Sequence, residues 1–481
     1  MTALRPRPLA LAALLAALPI GALAAQQPDR SRPPTLPAPP ALRLPAVQTD
    51  TLANGLELAV VEMHKVPVVD VTLMVDAGTG RDPDSLPGLA TFTALMLQQG
   101  AGSRSALDIA DEAAFLGASL NTGASYDGAF ASLHVPKRRL GPALDLLADV
   151  VLRPTLPDSE VVRQRDLRRA QILQQQDQPV AMANIAFAAI IFGASHPYGR
   201  PTGGTEASTA ALSRDRVADF YRSYYRPNGA RLLVVGDVTL EEARQLVAAR
   251  WGTWVRVEAS PEAAPPPPAG SERTIYLVDK PGAAQSVFRI GQVGVSRSTP
   301  DYFPLEVLNT ILGGPFTSRL NQNLRETHGY TYGAGSQFAM RRQAGPFVAS
   351  SSVVTAKTDS ALIEFLRELR RIRDDSVPQA ELDKAKAYVT LGLPGEFETT
   401  RGAARQFADL LQYGLPLDYY AGYIPRINAV TAADVQRVAR QYLDLDHIAI
   451  VVVGDKNQIA SGLAALHEGP IVERDMWGRS K

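Results

Sequence analysis

The chain has 481 residues, more than one ordinary hydrophobic core accommodates, so two or more domains are expected. Hydrophobic residues make up 46% and charged residues 20%, an ordinary balance for a soluble globular protein. Lys+Arg and Asp+Glu stand at 49 each, which gives no electrostatic reason to expect nucleic acid or an anionic membrane as partner. The absence of cysteine excludes disulfides, thiolate catalysis, thiolate metal sites and an acylated-cysteine anchor.

In chain order, Arg5 and Arg7 precede "LALAALLAALPIGALAA", an apolar run that contains Pro19 and ends in small residues. This layout predicts a secretory signal peptide over 1–25, cut after Ala25. The run is shorter than the ~20 residues a spanning helix needs, so no stable membrane anchor is expected. Export with a soluble body points to the periplasm. Residues 26–47 are proline-rich and aperiodic and read as a flexible lead-in.

Residues 48–257 form a first half. Strands are expected in "LELAVVEM" and "VVDVTLMVDAG" and helices over 138–153 and 158–178, and the half closes with helix, strand "ARLLVVGD", helix (216–252). "EASPEAAPPPPAGSE" (258–272) reads as an extended polyproline spacer. A second half over 273–470 repeats the plan: strands "RTIYLVD" and "QSVFRIGQVG", helices over 358–373 and 378–392, and a closing helix, "HIAIVVVGD", helix over 434–469. Residues 471–481 read as a tail. The expected fold is therefore α+β, as two similar halves, each a mixed or antiparallel sheet with packed helices, facing each other across a chamber.

Two segments carry the chemistry. In "GLATFTALMLQQG" (88–100), Leu89, Phe92, Leu95 and Met96 make one apolar helix face. "LNTILGGPFTSRLNQNLRETHGYTYGAGSQF" (308–338) combines tight glycine turns at Gly313, Gly314, Gly329 and Gly333 with Arg325 and Tyr332, seven residues apart. The six histidines, at 64, 134, 196, 328, 447 and 467, are all more than five residues apart, so no helical pair can bind a metal.

Both segments resemble the pitrilysin/insulinase family of zinc metallopeptidases. The resemblance covers roughly residues 48–460. In that family the helix opening Gly-Leu-Ala carries His-x-x-Glu-His, two zinc ligands and a general base, and a glutamate on a later helix completes the ligand set. Here those positions read Thr91, Ala94 and Leu95, and the third ligand falls on Gln171, with Gln164 matching a nearby family acid. The resemblance thus implies a degenerate metal motif and no metal held by this chain. The segment 308–338 is similar to the family's C-terminal signature, in which an Arg and a Tyr bind substrate backbone and help stabilise the transition state. Arg325 and Tyr332 match that pair. The family strand that pairs with an extended peptide matches "LGASLNTGASYDGAFASLHV" (116–135), and Asn121 and Gly329 are expected to contact substrate.

The resemblance implies divided labour. On one reading this chain is the zinc-free subunit of a heteromeric periplasmic peptidase, inactive alone, whose related partner carries His-x-x-Glu-His and the zinc. On the other it is a non-enzymatic peptide-binding or assembly protein that keeps the old chamber. An active peptidase with an unusual metal site is a third, disfavoured by the histidine positions.

Overall fold

The computed structural model describes residues 42–257, 265–268 and 270–480. The expected signal peptide and residues 26–41 lie outside these, as does most of the proline spacer. Among the described residues no helix is long and apolar enough to cross a membrane.

The repeated halves are visible in the sheets. The first sheet contains β1 (Val47–Thr51), β2 (Glu57–Glu62), β3 (Val68–Val75), β4 (Ser119–Ala124), β5 (Ala129–Pro136) and β6 (Arg231–Gly236), in spatial order β1-β2-β6-β3-β5-β4. The second contains β7 (Thr274–Asp279), β8 (Gln285–Val293), β9 (Thr331–Phe338), β10 (Pro346–Val354), β11 (Ala449–Gly454) and β12 (Ile471–Arg474), in order β9-β10-β8-β11-β7-β12. Five strands correspond one to one, β2-β6-β3-β5-β4 to β7-β11-β8-β10-β9. In both sheets the first pair is parallel and the other three antiparallel. β4 and β9 are therefore equivalent edge strands of the two halves. The sixth strands differ: β1 is antiparallel to β2, whereas β12 is parallel to β7. Residues 471–474, expected as part of a tail, thus complete a sheet. Leu42 and Leu44, expected in the flexible lead-in, pack against the core.

The helices that position the site are α1 (Leu89–Met96), α2 (Asp158–Gln175), α3 (Pro179–Phe192), α4 (Tyr302–Leu312), α5 (Thr358–Asp374), α6 (Gln379–Glu396) and α7 (Thr400–Tyr413). Two of them cross between the halves. α3, "PVAMANIAFAAIIF", is apolar nearly all round and must be buried on several sides. It packs on β8 and β11 of the second sheet, where Met182, Ala186 and Phe187 meet Val287, Val451 and Val453. α7 buries Ala403, Ala404, Phe407 and Leu410 at helical spacing and lies on β3 and β6 of the first sheet. One core cluster consequently joins Ala59, Val61, Met74, Leu233 and Val235 of the first sheet to the second-half core.

Polar contacts reinforce this exchange. The Thr400 hydroxyl donates to the buried Asp70 carboxylate at 2.6 Å, and His134 Nδ1 lies 2.9 Å from the other oxygen of Asp70. From the turn after β9, Arg342 donates to Asp76 at 2.7 Å and, through its backbone N–H, to Asp127 at 2.9 Å. The Arg341 guanidinium sits 3.8 Å from the Tyr126 ring centroid, a cation–π distance.

Candidate functional site

α1 begins at Gly88, whose φ of +93° is left-handed and whose missing side chain lets Gly203 and Gly204 approach: a Cβ there would meet the Gly204 backbone N at 2.7 Å. Asp82 caps the helix from a distance, accepting the Gly88 and Ala90 N–H groups at 2.7 Å each. Burial pushes its carboxyl up to about 7, against the pull of those N–H groups and of Arg200.

The degenerate positions have become scaffold. The Thr91 hydroxyl lies 2.7 Å from the Thr202 carbonyl and 3.0 Å from the Gly88 carbonyl, one proton facing two acceptors. Thr91 therefore does more than pack: it ties α1 to the 202–204 loop. Ala94 is fully buried. Leu95, expected on the buried face with Leu89, Phe92 and Met96, is only half-buried. On α2, Gln164 is buried and donates to Gln99 at 2.9 Å, while Gln171 is exposed. A hydroxyl engaged with carbonyls, an alanine, a leucine and a lone carboxamide supply no donor set for zinc. Among the described residues no group of three or more His, Asp or Glu is arranged to hold a metal. His196 is buried, accepts the Tyr198 N–H at 3.0 Å and stacks on Phe192, as a structural histidine does.

The second-half segment is organised differently. After α4, Gly313 lies so close to β9 that a Cβ would meet the Ser336 backbone N at 2.2 Å. The chain then turns through Phe316 into Arg319–Asn321, which continues as a π-helical turn, Gln322–Thr327. Such turns are rare and concentrate at functional sites. Leu320 and Leu324 are fully buried beneath it. Arg319 is a structural residue, forked onto Glu381 of α6 at 2.8 and 2.7 Å. Gly329 ends the turn at φ +64°, with nothing within 4 Å of where a Cβ would stand, so backbone conformation by itself accounts for that glycine.

Arg325 projects from the π turn. Its guanidinium lies 3.8 Å from the ring centroid of the exposed Phe316 and 3.2 Å from the Glu326 carboxylate. Tyr332, at the start of β9, is 91% exposed. A register shift between Thr331 and Ala334 turns it out of the ladder. Side chains fix that irregularity: Thr331 donates to Ser352 O at 2.7 Å, Ser351 to Gly333 O at 2.8 Å, and Asn321 accepts the Ala334 N–H at 3.0 Å. One continuous segment thus presents a forked cation, an aromatic ring and a phenol. Asn121 is elsewhere, exposed on β4, the equivalent edge strand of the first sheet. Phe316 and the π turn escaped sequence reasoning. The aromatic residue inside an otherwise small-residue turn, "GGPFTS", was the available signal for the first.

Comparison with known proteins agrees with this anatomy. The model of the insulinase family, peptidase family M16, matches residues 58–206, and the model described as the peptidase M16 inactive domain matches residues 211–389. An uncharacterized zinc protease of Mycobacterium leprae is 27% identical over 419 residues, covering 86% of this chain and 93% of that one. The crystal structure of a peptidase M16 inactive domain from Pseudomonas fluorescens superposes with a TM-score of 0.80 at 27% identity, covering 85% of this chain and 98% of that one. A protease from Helicobacter pylori gives a TM-score of 0.79 at 20% identity over 85% of this chain and 100% of that one, a likeness of fold.

Proposed function

Because the chain belongs to the insulinase family, peptidase family M16, we propose that it is the zinc-free subunit of a heteromeric peptidase. The observation that carries this reading is the contrast within the site: Thr91, Ala94, Leu95 and Gln171 supply no zinc donor set, while Tyr332 stands almost wholly in solvent and Arg325, half-buried, lies against the exposed Phe316. In the assembled enzyme a related partner carries His-x-x-Glu-His and supplies the zinc chemistry that activates water. This chain contributes Arg325, whose planar fork suits a substrate carbonyl or carboxylate. It also contributes Tyr332, whose hydroxyl can donate to a developing oxyanion. An extended substrate adds to the free edge of β4 beside Asn121. We place the complex in the periplasm, following the N-terminal export signal.

Affinity purification of the chain from its native periplasm, with identification of what accompanies it, tests this directly. A stoichiometric related partner bearing His-x-x-Glu-His and zinc is expected, with peptidase activity in the pair and none in this chain alone. Recovery of the chain by itself, or with an unrelated protein, overturns the proposal. The second reading, a peptide-binding protein without catalysis, is favoured by the free edge of β4, which needs no metal to capture a strand. It is the one left if peptides bind the isolated chain and no zinc-bearing partner is found.

A further inference from the structure

The π turn is docked in an unusual way. α5 turns an apolar stripe inward, with Ala361, Leu362, Phe365, Leu366, Leu369 and Ile372 all buried. Two carboxylates interrupt this stripe one turn apart: Glu364 is 6% exposed and Glu368 2%. Two buried like charges side by side repel and lose hydration, and they persist only where donors compensate both. Outer compensation comes from Arg367, 2.8 Å from Glu364, and Arg371, 2.9 Å from Glu368, each three residues on along α5. On the inner side His328 Nε2 lies 3.8 Å from Glu364, and one side chain hydrogen-bonds both carboxylates. Asn323, in the π turn, points its amide nitrogen at both, 2.8 Å from Glu364 Oε2 and 2.8 Å from Glu368 Oε1.

The residue type matters. A primary amide has two hydrogens, one for each carboxylate. Aspartate in its place would make a third carboxylate in the cluster, and leucine would leave both without their inner donor. Geometry links this to the site. In a helical turn, residues two apart point to roughly opposite sides. With Asn323 fixed inward on α5, Arg325 is directed outward, where the Phe316 ring meets it. Leu320 and Leu324 contribute burial beneath the turn but little direction, since apolar contact is non-directional. Charge-assisted hydrogen bonds to two fixed oxygens do specify an orientation.

We infer that Asn323, held by the buried pair Glu364 and Glu368, is the positioning residue that sets the direction of Arg325. The inference rests on the proposed role of Arg325 and adds three residues to it, none of which touches substrate. It also gives a reason for charged residues on the buried face of α5.

The test uses the complex of this chain with its zinc-bearing partner, assayed on a quenched fluorescent peptide library. Asn323→Asp is expected to lower kcat about 100-fold, the cost of a misplaced catalytic group, with little change in KM. In an Arg325→Ala background it should have no further effect, because there is then no guanidinium to misplace. Adding Glu364→Gln and Glu368→Gln to Asn323→Asp reverses the donor and acceptor roles and should restore most of kcat. Should Asn323→Asp fail to fold, Asn323→Ala removes the donor without adding charge and should show the same dependence on Arg325. A folded complex with normal kcat, or losses that multiply with those of Arg325→Ala, overturns the positioning role while leaving the catalytic role of Arg325 intact. An Arg325→Ala complex with full activity overturns the catalytic role instead, and the positioning role with it.

Discussion

α1 with its 202–204 loop lies in the first half and the segment Gly313–Phe338 in the second, and the two treat their polar side chains in opposite ways. Around α1 the positions that match the family's metal chemistry hold no zinc donor set: Thr91 bonds a carbonyl, Ala94 is buried, Leu95 is half-buried, and Gln171 is a lone exposed carboxamide. In Gly313–Phe338 the scaffold is elaborated to keep two side chains out of it. A π turn, a strand irregularity and a set of side-chain hydrogen bonds leave Arg325 beside an exposed ring and Tyr332 almost wholly in solvent. A side chain with no chemical task becomes part of the packing. Irregular structure of this kind concentrates at functional sites, which supports the role proposed for Arg325 and Tyr332.

The sharpest way to break this contrast is in the second half. Arg325→Ala is expected to lower kcat/KM of the assembled peptidase by about 100-fold to 1000-fold, and Tyr332→Phe by about 10-fold or more. Thermal unfolding of Tyr332→Phe should stay within about 0.5 kcal/mol of the parent, as for other surface changes, while Arg325→Ala, which loses the Phe316 contact, should cost about 1 kcal/mol at most. A large stability loss with either would make the pair structural and erase the distinction.

The matching change in the first half acts on stability. Ala94→Glu, which reinstates the family's general base, places a carboxylate at a fully buried point and should cost about 3 kcal/mol in urea unfolding. A well-folded variant would mean that the α1 site retains room for its old chemistry.

Asp82 adds a pH dependence within the first half. Its carboxyl is raised from an ordinary 3.8 to about 7 by burial, so between these values the folded state holds a proton that the unfolded chain has released. The stability linked to Asp82 is therefore full below about pH 4 and is lost as the pH rises to about 7. The decline amounts to about 2 kcal/mol between about pH 5 and about pH 7. Asp82→Asn should flatten that slope in denaturant titrations, and an unchanged slope would assign it to another group.

Smallest is Thr91→Val, expected to cost about 1 kcal/mol through the Thr202 carbonyl left without its donor, with peptidase activity unaltered. Activity lost without stability would mean that Thr91 still has a role in chemistry.

Much of this molecule is legible along the chain. The strands "LELAVVEM", "ARLLVVGD", "RTIYLVD" and "HIAIVVVGD" lie where their apolar runs place them. The repeat of helix, strand and helix at the end of each half predicts two similar halves, and the two sheets match in strand order. Arg325 and Tyr332 stand out because glycine turns and a fixed spacing surround them. Periodicity places Leu95 on the buried face, but an eight-residue helix has little more than two turns to define a face, and Leu95 is only half-buried. The strand at 471–474 is too short and too mixed to announce itself.

The features legible from the chain alone are local: strand and helix periods, residue types that make no metal donor set at 91, 94, 95 and 171, and the twofold repeat; of the four glycines expected in tight turns only Gly329 has a left-handed φ. Only the tertiary structure decided that α3 and α7 exchange between the halves, that Phe316 stacks on Arg325, and that Asn323 reaches two glutamates more than forty residues away. The physical reason is one of range. A helix or strand is selected by hydrogen bonds and side-chain spacing within a few residues. Which surface it covers, and which donor meets a buried charge, depends on what the rest of the chain leaves uncovered.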